Sequence, residues 1–230
     1  MRPLVMLTRS VFLLVGICIV ALSAGWVSEA GAQVVLSDPN LPPEPDPPDC
    51  ESLISLYAGT GLFASYSGPI SMSTVRHRCF QSVIRTAVGA DEHETFDSFW
   101  DATMDFGLGP VSVTLTGPVT TVTYGKIGNT TGTFEAEIAA MSLSGTAGSY
   151  NIQLRESPTL ASPGQTAITD LGGGLYQIDS FFDVYTELSV DGGETWLAQT
   201  TQAARIILVP ISTIATQSSS WGAIKSLHED

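Results

Sequence analysis

The chain has 230 residues, with 23 acidic against 9 basic and a formal charge of −14, so its surface repels nucleic acid and anionic membranes and suits cations or a basic partner. Three histidines and three cysteines leave little material for zinc or Cys–His chemistry.

At the N-terminus, Arg2 and Arg9 precede the apolar run Val11 to Ala24, and Ala30-Gly31-Ala32 forms a small-residue cleavage signal before Gln33. Residues 1–32 therefore read as a signal peptide, and the protein is expected to be exported to the periplasm, cell surface or extracellular space. A membrane span takes about 18 to 20 apolar residues, more than this run supplies. Loss of the leader removes two Arg and one Glu, leaving 9 − 2 = 7 basic and 23 − 1 = 22 acidic residues.

Residues 33–49 read as a proline-rich spacer, because Pro39 to Pro48 carries six prolines in ten residues and favours an extended polyproline-like chain. Cys50 and Cys79 are the two cysteines beyond the leader, and an even pair in an exported protein reads most simply as one disulfide. Between them, Glu51 to Ala58 is expected to form a short helix capped by Asp49. Gly68-Pro69 marks a turn, and Val75 to Phe80, with Arg76, His77 and Arg78, reads as a solvated strand edge rather than an anion site.

Further on, Phe96, Ser98, Trp100, Ala102, Met104 and Phe106 alternate with Asp97, Phe99, Asp101, Thr103 and Asp105, the period of a strand with one buried face. Short alternating pieces follow at Val111 to Thr116, Val119 to Gly125, Thr133 to Leu143, Tyr150 to Glu156 and Ala203 to Val209. Turn signals at Gly117-Pro118, Gly128-Asn129, Gly145 to Gly148, Ser162-Pro163-Gly164 and Gly172 to Gly174 separate them. The expected fold is all-β, an antiparallel β-sandwich over residues 50–212 with a short N-terminal helical segment and extended tails. A closed barrel shares the same alternation.

The clearest strand pattern is Ile178 to Val190, where Ile178, Ser180, Phe182, Val184, Thr186, Leu188 and Val190 share one face. Its length calls for a bulge, a bend or passage across two sheet partners. The opening IDSFFD resembles FDSFWD at Phe96 to Asp101, which suggests two strands with the same role. Ser189 to Trp196, SVDGGETW, resembles the Asp-box that closes hairpins in sialidase propellers and other β proteins. That likeness implies a structural hairpin in which Asp191 accepts turn amides, Gly193 bends the chain and Trp196 packs beneath. One copy does not imply a sialidase.

The segments Gly128 to Gly145, Arg155 to Trp196 and Arg205 to Pro210 resemble a family of exported bacterial β proteins, some of which end in PEP-CTERM sorting tails. The family carries no activity to transfer. Residues 213–230 form a C-terminal tail without a Pro-Glu-Pro motif, and Trp221, Ile224 and Leu227 stand there at helical spacing.

For function, the chain contains no G-x-S-x-G elbow, H-E-x-x-H motif or phosphate loop, so no catalytic residue is assigned and the expected class is not an enzyme. A glycosidase-like carboxylate pair is the enzymatic alternative. The leading expectation is a structural or interaction component of an envelope or extracellular assembly, with a glycan or protein partner. The rival is a ligand- or glycan-binding module that uses Phe99, Phe181 and Tyr185 on the outer strand faces. If the two similar strands are neighbours, Asp101 and Asp183 form the best pair for a Ca²⁺ ion, since i and i+4 on one strand lie about 13 Å apart.

Overall fold

The computed structural model describes residues 34–40 and 57–210, and the expected leader at residues 1–32, most of the expected spacer, Cys50 and residues 211–230 lie outside those residues. The strands are β1 (Val34–Leu36), β2 (Tyr57–Ser65), β3 (Ser71–Val88), β4 (Asp91–Asp105), β5 (Pro110–Thr123) and β6 (Gly132–Ala147). They continue with β7 (Tyr150–Glu156), β8 (Ser162–Gly172), β9 (Leu175–Val184), β10 (Thr186–Ser189), β11 (Leu197–Ala198) and β12 (Ala204–Pro210).

Every ladder between these strands is antiparallel, and β9, β12, β2, β3, β4, β5, β6 and β8 close into an eight-stranded barrel through the β8–β9 pairing. This corrects the expected sandwich. Alternation along each strand buries one face in either architecture, and only the non-local pairings of β6 with β8 and of β12 with both β2 and β9 decide that the eight strands close on themselves. The described residues contain no helix, and Tyr57 and Ala58, expected at the end of one, begin β2.

Two barrel positions are filled by strands in two pieces. β7 and β8 lie end to end along β6, and β9 and β10 are one extended run interrupted at Tyr185. The second break answers the excessive length of Ile178 to Val190: β9 pairs with β8 and β12, whereas β10 pairs with β7 and β11. β1 adds beside β9 at Ile178 and buries Val34, so part of the segment read as spacer docks on the barrel.

Two expected turns lie inside strands. Gly117-Pro118 sits within β5, where Pro118 pairs with Asp97, and a Cβ on Gly117 would fall 2.2 Å from the carbonyl oxygen of Ser142. The pair creases one strand where it approaches the next most closely. Ser162-Pro163-Gly164 likewise opens β8.

β3 is the most irregular strand. Its register with β4 shifts between Ser73 and Arg76, between Arg78 and Gln81 and between Gln81 and Ile84, and Thr74, Cys79 and Ser82 have positive φ. These bulges break the alternation, so that His77, Arg78, Cys79 and Phe80 are all buried. The expected solvated edge is therefore an inner strand paired on both sides, with β2 and with β4.

Candidate functional site

The interior of the barrel holds two apolar clusters. The larger includes Trp100, Met104, Leu115, Leu143, Leu154 and Leu188, and the smaller consists of Phe134, Ile168 and Ile178. Phe182 and Leu208 pack against both. Beside Phe182 and Leu208 lies a cavity of about 50 Å³, partly open to solvent. It is lined by His77 and Phe80 of β3, Phe96 of β4, Val119 and Thr121 of β5, Ile138 of β6, Ser180 and Phe182 of β9, and Ile206 and Leu208 of β12.

The sequence explains why space remains there. Directly paired strand residues point to the same face. On β2 the residue paired with His77 and with Leu208 is Gly59, and the residue paired with Ile206 is Gly61. On β8 the residue paired with Phe182 is Gly164. Three inward positions thus carry no side chain. At Gly164 a Cβ would lie 2.3 Å from the carbonyl oxygen of Phe181 and 2.4 Å from Cδ1 of Phe182, so close strand approach also requires glycine.

Most of the lining is apolar, with five polar groups set into it or beside it. His77 is 6% exposed, its Nε2 lies 2.7 Å from Oγ of Ser98, and its ring stands 4.9 Å from that of Phe80 and 5.2 Å from that of Trp100. Burial pulls its pKa down to about 3, so the ring is neutral at physiological pH. Thr121 Oγ1 and Ser180 Oγ are buried without a hydrogen-bond partner, as are Thr166 Oγ1, in the residue paired with Ser180, and Oε2 of Glu94, in the residue paired with Thr121. More than nine in ten buried polar atoms find partners, so this concentration beside one cavity marks a site.

Toward the end of the barrel where β3 meets β4, Arg85 Nε donates to Oε1 of Glu94 at 2.6 Å and Arg85 Nη2 to Oδ2 of Asp38 at 3.2 Å. Burial lifts the Glu94 carboxyl to about 8 against the opposing pull of Arg85. Lys126 Nζ donates to Oδ1 of Asn40 at 3.3 Å and lies 5.7 Å from the centre of the Phe134 ring. The segment after β1 is thereby tied to the barrel through Asp38 and Asn40.

The residues singled out from sequence lie elsewhere. Asp101 on β4 and Asp183 on β9 are not brought together, because β12, β2 and β3 separate those strands one way round and β8, β6 and β5 the other. Asp101 accepts from Arg78 Nε at 2.5 Å and from Thr114 Oγ1 at 2.7 Å, and Asp183 accepts two bonds from Arg205 at 2.8 and 2.7 Å. Each carboxylate is held below its usual range, with burial opposing the hydrogen bonds from its arginine. No cluster of three or more acidic, His or Cys side chains suited to a metal occurs among the described residues.

Phe99 and Phe181 are likewise on opposite sides of the barrel, each covered by an arginine, with Arg78 5.2 Å from one ring centre and Arg205 4.2 Å from the other. Tyr185 marks the break between β9 and β10, where its N–H donates to Ser162 Oγ at 3.0 Å and its carbonyl accepts from Ser157 N at 2.9 Å. These three do not form one aromatic platform.

The hairpin from β10 to β11 contains Ser189, Asp191, Gly193 and Trp196. Asp191 accepts from Ser189 Oγ at 2.7 Å, from Thr195 N at 3.0 Å and from Thr195 Oγ1 at 2.6 Å, and Ser189 Oγ accepts from Gly193 N at 2.8 Å. These bonds depress the Asp191 pKa strongly. Trp196 is only half-buried and stacks on the outer face, 3.9 Å from the guanidinium of Arg155, which also pairs with Glu187 at 2.6 Å. The expectation that it packs beneath the hairpin is corrected accordingly.

Sequence reading missed Thr121, Ser180 and Glu94 as a group. Glu94 had a signal: it falls two residues before Phe96 on the buried alternation of β4, a place where a carboxyl is costly. Comparison of the chain with family models, curated proteins and solved structures returns no match.

Proposed function

We propose that the protein is an exported binding protein that holds a small, largely apolar molecule inside its barrel. The observation that carries the reading is an interior cavity lined by aromatic and aliphatic side chains into which two buried hydroxyls, Thr121 Oγ1 and Ser180 Oγ, point without partners. Eight antiparallel strands enclose an interior just large enough for packed side chains or one small ligand. The outward positions of β4 carry Asp97, Asp101 and Asp105, and such a face suits water rather than lipid.

Export rests on the leader at residues 1–32 and agrees with the likeness to exported bacterial proteins. A Cys50–Cys79 disulfide belongs to the same reading, supported by complete burial of Cys79 in a bonded form. It joins the segment after the spacer to β3, the strand that supplies His77 and Phe80 to the cavity.

Thermal melting with a panel of neutral apolar molecules, such as toluene, indole and 1-octanol, tests the reading. Binding to the folded state raises the midpoint in proportion to occupancy. At least one member is expected to do so, and a variant with Ile138→Trp, which fills the cavity, should lose the effect. A flat response across the panel, or one unchanged by the filling substitution, would refute interior binding.

A further inference from the structure

We propose that the cavity selects neutral amphiphiles, taking a hydroxyl or carbonyl head group on Thr121 or Ser180 and rejecting the corresponding carboxylates. The inference rests on the binding reading above and specifies its ligand class.

The polar groups define the head-group chemistry. Thr121 on β5 and Ser180 on β9 both line the cavity, both are buried, and neither hydroxyl has a partner. A hydroxyl can donate or accept, so either one can satisfy an alcohol or a carbonyl. Apart from His77, the remaining lining residues, from Phe80, Phe96 and Val119 to Ile206 and Leu208, offer only apolar surface for the rest of the molecule.

Charge decides against an acid. No ionised side chain lines the cavity, and the one titratable group there, His77, is neutral and held against Ser98. A carboxylate moved into such a space forfeits its hydration without gaining a cation. Arg85 is not available to supply one, since it bonds both Glu94 and Asp38. Glu94 stands in register with Thr121, and any ionised fraction of its carboxyl repels an acidic ligand further.

Calorimetric titration of the purified protein with 1-octanol, octanoate and toluene tests this, together with Thr121→Val, Ser180→Ala and the double variant. The parent is expected to bind 1-octanol at least about tenfold more tightly than octanoate, as loss of one well-placed hydrogen bond or burial of a charge dictates. The double variant should weaken 1-octanol about tenfold while leaving toluene within about twofold, a split that a merely structural role for the hydroxyls would not produce. Equal binding of octanoate and 1-octanol, or parallel losses for 1-octanol and toluene, overturns the head-group assignment while the binding reading stands. Failure of all three ligands to bind the parent overturns the binding reading itself.

Discussion

Arg85 donates from Nε to Oε1 of Glu94 at 2.6 Å, and the carboxyl it meets is fully buried while the guanidinium is partly open to solvent. The bond places an acid inside the barrel beside a neutral histidine-lined cavity, and the two buried groups respond to pH in opposite directions. From the ordinary value of 4.5 up to about 8, the folded chain keeps a proton on Glu94 that the unfolded chain has released, so stability falls as pH rises. From about 3 up to the ordinary 6.5, the unfolded chain holds a proton on His77 that the folded chain has released, so stability falls as pH drops.

The two effects oppose each other between pH 4.5 and 6.5 and act singly outside that window. Each is worth at most about 1.4 kcal/mol per pH unit. Glu156, raised to about 7 chiefly by burial, adds to the same falling slope between pH 4.5 and about 7, so the readout is the difference between parent and variant. Denaturant titrations from pH 6.5 to 8 should show Glu94→Gln with a shallower loss than the parent. Parallel curves would mean that Glu94 is already ionised.

Thr121→Val and Ser180→Ala each remove a buried hydroxyl that has no partner. Without ligand, each variant should be at least as stable as the parent and up to about 1 to 3 kcal/mol more stable. Urea unfolding measures this, and a loss of more than about 1 kcal/mol at either site would show that the hydroxyl is bonded in the free protein.

Gly164→Ala should destabilise by about 1 to 3 kcal/mol, because the new methyl meets the Phe181 carbonyl and the Phe182 ring at less than contact distance. Relief requires Phe182 to move, which also alters the cavity wall. Unfolding at parental midpoint would place the β8–β9 ladder farther apart.

Trp196→Ala should cost about 1 to 2 kcal/mol, as befits a half-buried ring on an arginine rather than a core side chain. A cost above about 3 kcal/mol would put the ring beneath the hairpin. Asp191→Ala should open the same turn to amide exchange at Thr195, whose N–H it holds at 3.0 Å.

The local patterns were legible in the chain and the closure was not. β4 illustrates the first point: Phe96, Ser98, Trp100, Ala102 and Met104 are buried as their alternation requires. Excessive length likewise foretold the break in the run from Ile178 to Val190, found at Tyr185. A sandwich and a barrel share that alternation, and the non-local pairings that distinguish them, of β6 with β8 and of β12 with both β2 and β9, leave no short-range mark. The similar strands at Phe96 and Ile178 fell opposite each other instead of side by side, which separated Asp101 from Asp183. Non-glycine residues with positive φ at Thr74, Cys79 and Ser82 hid the bulges of β3, and hence the inward placement of His77. Thr121 and Ser180 carry no distinguishing sequence context, because an inward hydroxyl is ordinary until its lack of a partner is seen.

The most direct test of interior binding is a pair of amide ¹H–¹⁵N correlation spectra, recorded with and without saturating 1-octanol. Interior binding predicts shifts at His77, Phe96, Thr121, Ser180 and Phe182, on four strands whose side chains line one cavity, with the β10–β11 hairpin at Asp191 to Trp196 unmoved. Shifts confined to that hairpin or to the outer faces, or no shifts at all, would contradict it.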